Sequence, residues 1–174
     1  MAVKISNFPP IVRPQAGLSQ ADVVFEHEVE AGLTRLTAVF YGEDAEKVGS
    51  VRSARLIDLE IVAMFKAFFA FSGASPGVVQ RIKESDFADR VLSPDPNWST
   101  EGFKRIPQPG RAYEHTLFTD TDTLWRIAEE KGWNERQDLA GWTFAAEPPA
   151  GGQPADRLTL VYHPQYISTE YVYD

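Results

Sequence analysis

The chain has 174 residues, with 17 Lys and Arg against 25 Asp and Glu for a formal net charge of −8, and no cysteine. This length allows one domain, or a domain with part of another, and buries about 70% of the unfolded chain's surface. The acidic balance argues against binding to a phosphate backbone, and the lack of cysteine removes disulfides, thiolate metal sites and thiol nucleophiles. With 43% hydrophobic and 24% charged residues, the composition is that of an ordered globular protein.

Met1 to Ser6 reads at once as strand-like alternation, with no signal-peptide pattern before it and no run long enough for a membrane span. Phe8 to Leu18 is proline-punctuated and extended. Val23, Phe25, His27 and Val29 alternate with Val24, Glu26, Glu28 and Glu30, the period of a half-buried strand. Ala31-Gly32 suits a two-residue turn into a second strand over Thr34 to Tyr41. That turn places His27 opposite Leu36, Phe25 opposite Ala38, Glu28 opposite Arg35 and Glu26 opposite Thr37. His27 then belongs to an apolar face as a core or half-buried imidazole.

Ser53 is the expected N-cap of a largely buried helix from Ala54 to Lys66, followed by a buried strand over Ala67 to Phe71. A second helix is expected over Pro76 to Ser85, a short strand at Val91-Leu92, and a long loop over residues 93–112. Thr119 or Asp120 caps a third helix that runs to Lys131 and closes at Gly132. The fold class is α/β in the mixed α+β sense: a mixed sheet with a β-hairpin, flanked by helices, plus the start of a small β-rich second domain. The expected division is a domain over residues 1–145, a linker over 146–156, and the beginning of a C-terminal unit over 157–174, with strands at Leu158 to Tyr162 and Thr169 to Tyr173.

Three groups could carry chemistry. In Gly49-Ser50-Val51-Arg52-Ser53-Ala54-Arg55, two arginines flank a helix start and could grip a carboxylate or phosphate, or pair with carboxylates of the fold. Glu26, Glu28 and Glu30 share one strand face about 7 Å apart, with Arg35 close by to hold a partner ionised. They could serve acid–base catalysis, a hard cation or a solvated face. His115 ends the long loop, where an imidazole can act as a general base or hydrogen-bond donor. Gly73-Ala74-Ser75-Pro76-Gly77 spells Gly-x-Ser-x-Gly, but Pro76 lacks the N–H that would complete an oxyanion hole. Gly73 and Ser75 instead suit a turn that brings backbone close to a ligand. Three histidines without ligand spacing point to no metal, and nothing points to a cofactor.

Val12 to Glu26, Val29-Glu30-Ala31-Gly32-Leu33-Thr34-Arg35, Val51-Arg52-Ser53-Ala54-Arg55, Ser72 to Ser75 and Glu114 to Thr119 together resemble the YerB-like family of bacterial lipoproteins, which contain a domain of unknown function. The chain departs from the family pattern at Gly49-Ser50, Ala31-Gly32 and Tyr113-Glu114-His115-Thr116. The resemblance implies an extracytoplasmic protein held to the membrane by a lipid anchor outside this chain. It carries over no catalytic residue. The leading expectation is a non-enzymatic cell-envelope domain that binds a small polar or anionic ligand, or an envelope protein, through Arg52, Ser53, Arg55, Glu26, Glu30, Arg35, Gly73, Ser75 and His115. A hydrolase using a Glu/His pair, and a structural module with no ligand site, are the alternatives.

Overall fold

The computed structural model describes residues 1–139, 141, 145–147, 150–163 and 167–172. Its central sheet has five strands: β1 (Ala2–Ser6), β2 (Val23–Glu28), β3 (Thr34–Val39), β5 (Phe69–Ala70) and β6 (Val91–Leu92). They lie in the order β2-β3-β1-β5-β6, with β1 antiparallel to β3 and parallel to β5. The architecture is mixed α+β, as the sequence pattern implies.

Strand parity divides the core in two. Val3 and Ile5 of β1, with Leu36 and Ala38 of β3, face a three-stranded sheet and a helix. That sheet is β4 (Val48–Gly49), β7 (Lys104–Arg105) and β8 (Leu117–Thr119), and the helix is α3 (Thr121–Glu130). Ala2 and Val39 face the other way, onto α1 (Leu56–Met64) and α2 (Pro76–Lys83), and meet Ile61, Val62, Val78 and Ile82. Lys4 has the parity of Ala2, so its side chain enters the α1 layer, where it is fully buried.

The α3 signals operate as expected. Asp120 is the N-cap and accepts from the Thr123 N–H at 2.8 Å, and Gly132 follows the helix with φ of 71°. Ser75 precedes α2 with Pro76 in the first turn. In the long loop, only Lys104–Arg105 forms a ladder, paired with Leu117–Phe118.

Three expectations need correction. The hairpin register is one residue off: His27 lies opposite Arg35, Glu26 opposite Leu36 and Phe25 opposite Thr37. The connection is not a two-residue turn. It is a 3-10 turn over Glu30–Gly32, closed by the Val29 N–H donating to the Leu33 carbonyl at 2.7 Å, with Ala31 and Gly32 at φ of 60° and 69°. Second, Ser53 is not the cap of α1. The Ala54 N–H donates to the Gly73 carbonyl at 3.0 Å, which keeps that segment extended, and the helix starts at Leu56 with Arg55 as N-cap. The Arg55 N–H is satisfied by the Asp58 carboxylate at 2.6 Å. Third, α1 is buried along one stripe only, through Asp58, Ile61 and Val62, while Leu56, Ile57 and Met64 are exposed.

The last strands, β9 (Arg157–His163) and β10 (Ile167–Val172), form an antiparallel hairpin. Thr169 and Tyr171 donate to the Glu26 carboxylate at 2.7 and 3.1 Å, and His163 packs on Gly32, whose hydrogen leaves the space a Cβ would fill. Tyr173, expected in the second strand, and residues 148–149 of the linker lie outside the described residues. Among the described residues no helix is long and apolar enough to cross a membrane.

Candidate functional site

Residues 50–54 form an extended strap across the ends of β1 and β5. The Arg52 N–H donates to the Lys4 carbonyl at 3.0 Å, and the Arg52 carbonyl accepts from the Ser72 N–H at 2.9 Å. The strap is fixed on both edges by backbone bonds, which sets where its two arginines emerge. Gly73, at φ of 76°, makes the turn that presents its carbonyl to Ala54.

Arg35, entering from β3, donates through Nη1 to the Ser53 carbonyl at 2.7 Å. Arg55 Nη1 donates to the Ala54 carbonyl at 2.9 Å and to the Ser53 carbonyl at 3.3 Å, while its Nη2 bonds Glu30 Oε2 at 2.6 Å. Arg52 Nη1 donates to the Glu114 carbonyl at 3.2 Å. Three guanidinium groups are thus gathered around one strap, and their main internal acceptors are backbone carbonyls rather than carboxylates.

Two of them, Arg35 and Arg52, border a cavity of about 300 Å³. Its polar end is Glu30, Thr34, Arg35, Arg52 and His115, and its apolar wall is Phe8, Pro9, Val29, Ala31 and Leu33. His115 is only 6% exposed, and its Nδ1 is buried without a hydrogen-bond partner. The Nε atoms of Arg52 and Arg55 are also buried and unpartnered. Buried polar atoms are normally satisfied, so two of the residues that line the cavity, Arg52 and His115, carry unmet hydrogen-bonding capacity. A larger concavity of about 410 Å³, at Tyr41, Arg136 and Asp138, contains none of the expected site residues.

The charges are set against one another. Burial, with Arg55 and Arg52 nearby, lowers the Arg35 pKa to about 10, and burial lowers that of Arg52. Burial and then the Arg52 charge push His115 below its usual 6.5, so the imidazole is neutral at pH 7. The Arg55 hydrogen bond holds Glu30 below its ordinary range, as a carboxylate. Such a field favours an incoming negative charge.

Of the expected residues, Glu30, Arg35, Arg52 and His115 meet at the cavity, and Arg55 and Ser53 adjoin it. Gly73 serves through its carbonyl, and Ser75 sits exposed at the start of α2, away from the lining. Glu26 and Glu28 share a face of β2, whereas Glu30 lies beyond the strand in the 3-10 turn; Glu26 bonds Asn7, Thr169 and Tyr171, and of the three only Glu30 shares the cavity with His115.

A second constellation lies directly behind the strap. Lys4 Nζ donates to Asp58 Oδ1 at 2.8 Å and Thr37 Oγ1 at 3.0 Å, and it contacts His27 Nε2. Thr37 Oγ1 donates to the same Asp58 oxygen at 2.6 Å. Burial lowers the His27 pKa, with Lys4 adding to the effect. The signal for this network was a single lysine inside an apolar strand and a single aspartate on the buried stripe of an apolar helix.

A family model described as "Protein of unknown function (DUF3048) N-terminal domain" matches residues 1–134. The chain belongs to this DUF3048 family. It is 31% identical over 176 residues to "Putative lipoprotein YerB" of Bacillus subtilis (strain 168), covering all of this chain and 51% of the relative. The crystal structure of the YerB protein from Bacillus subtilis matches with a TM-score of 0.75 at 30% identity, covering all of this chain and 57% of that one. The chain therefore spans about half the length of the relatives it matches. Every cavity residue of this DUF3048 chain falls inside the family match, whereas the β9–β10 hairpin that holds Glu26 lies beyond it.

Proposed function

We propose that this domain binds a small polar or anionic ligand at the guanidinium-lined cavity, in a protein held outside the membrane by a lipid anchor beyond this chain. The relative's name supports the location. The same reading takes residues 1–145 as the binding domain, 146–156 as a linker and 157–174 as the start of a second unit. An envelope protein presenting an anionic group would satisfy the same chemistry. The observation that carries the reading is the convergence of Arg35, Arg52 and the nearly buried His115 on the lining of one cavity. An anion there would meet hydrogen-bond donors already in place and relieve repulsion among the arginines.

Thermal unfolding of the full chain in sulfate and acetate, against chloride at matched ionic strength, tests it. Site binding stabilises by about 2.7 kcal/mol at 100 times Kd. Arg52→Met is expected to fold and lose this anion-specific gain. If Arg52→Met and Arg55→Met fold and keep the gain unchanged, the arginines are structural and the reading fails.

A further inference from the structure

We infer that the ligand is a carboxylate carried on an apolar group, as at the C-terminus of a peptide ending in an apolar residue, and that it enters by competing with Glu30 for the guanidinium cluster. The inference rests on the anion-binding reading and adds the ligand's class and its mode of entry.

Two features select an apolar carboxylate. The cavity couples a cationic end to a wall of Phe8, Pro9, Val29, Ala31 and Leu33, which suits a ligand with one charged and one apolar end. The volume of about 300 Å³ gives room for one amino-acid-sized group. The donors are also partly spent. Each arginine already gives Nη1 to a backbone carbonyl. What remains suits the two oxygens of a planar carboxylate better than a tetrahedral dianion, which needs more donors to replace its hydration.

Glu30 shows how such a group is held. Its carboxylate bonds Arg55 Nη2 at 2.6 Å at the cavity edge, yet its side chain is 70% exposed. An exposed pair of this kind contributes little to the fold and is easily exchanged. Glu30 therefore occupies one of the three guanidinium groups, Arg55, in the free protein and repels a second carboxylate that approaches the cluster until it is displaced.

Titration of the full chain with N-acetyl-L-leucine, its neutral amide and inorganic phosphate, followed by NMR at matched ionic strength, separates the possibilities. The acid is expected to bind with Kd on the order of 1 mM, and the amide at least about tenfold more weakly. Glu30→Gln, an exposed change that leaves the fold intact, is expected to tighten the acid about three- to tenfold by removing a like charge. Equal binding of acid and amide, or weaker acid binding by Glu30→Gln, overturns the inference. Phosphate binding without acid binding overturns it too but leaves the anion site standing. Failure of all three probes overturns both.

Discussion

Replacing Asp58 with alanine is expected to cost about 3–5 kcal/mol of stability, because it strips the partner from a buried ammonium group. Asp58 is 1% exposed and Lys4 is fully buried. One carboxylate oxygen accepts from Lys4 and Thr37, and the other accepts from the Arg55 N–H at the start of α1. Asp58→Ala thus orphans Lys4, frees the Thr37 hydroxyl and uncaps the helix. Lys4→Met removes the stranded charge, so the double variant Lys4→Met/Asp58→Ala should recover part of the loss. Urea unfolding of the two single variants and the double gives the coupling. Additive losses would show that the pair does not act as a unit.

Raising the pH from 8 to 10.5 is expected to stabilise the wild type relative to Lys4→Met by up to about 3 kcal/mol, at about 1.4 kcal/mol for each pH unit. Burial lowers the Lys4 pKa from 10.5 to about 8, against the opposing pull of Asp58 and with the Arg35 and Arg55 charges adding to the lowering. Between those values the unfolded chain holds the proton and the folded chain releases it. The unfolded state binds more protons, so stability rises with pH and is lost as pH falls back toward 8. Below 8 both states hold the proton and the contribution is flat. The same burial explains why the pair is costly to keep charged yet costlier to break. Stability curves for the two proteins that run parallel from pH 8 to 10.5 would contradict the assignment.

The periodic elements were legible in the sequence, and the site was legible in part. Val23 to Glu28, Pro76 to Lys83 and Thr121 to Glu130 carry periods, caps or prolines that report local physics directly. Val48–Gly49 and Leu117–Thr119 are too short to show a period and exist because the tertiary fold pairs them. The hairpin register slipped because Glu30 to Gly32 makes a 3-10 turn, a choice of backbone geometry that alternation cannot see. That one residue puts Arg35 across from His27 and on the face shared with Lys4, and leaves Glu26 on the opposite face. The arginines of the strap stood out because two guanidinium groups lie three residues apart. Their meeting with His115 depends on β4–β8 pairing and could not be read locally. Ser53 fits the composition of a cap, but the Gly73 carbonyl takes the neighbouring N–H and holds the segment extended.

The most direct test of the anion site is the titration of the His115 ring by NMR, alone and with saturating N-acetyl-L-leucine or sulfate, in the wild type and in Arg52→Met. Burial and the Arg52, Arg111 and Arg35 charges, with Glu114 opposing, place the free imidazole below 6.5. A bound anion favours the imidazolium, so the carboxylate should raise the His115 pKa saturably and more than sulfate does, and by reciprocity it should bind more tightly as pH falls through that range. In Arg52→Met the free ring should titrate closer to 6.5 and ignore both anions. A wild-type His115 titration that neither anion moves would contradict the account.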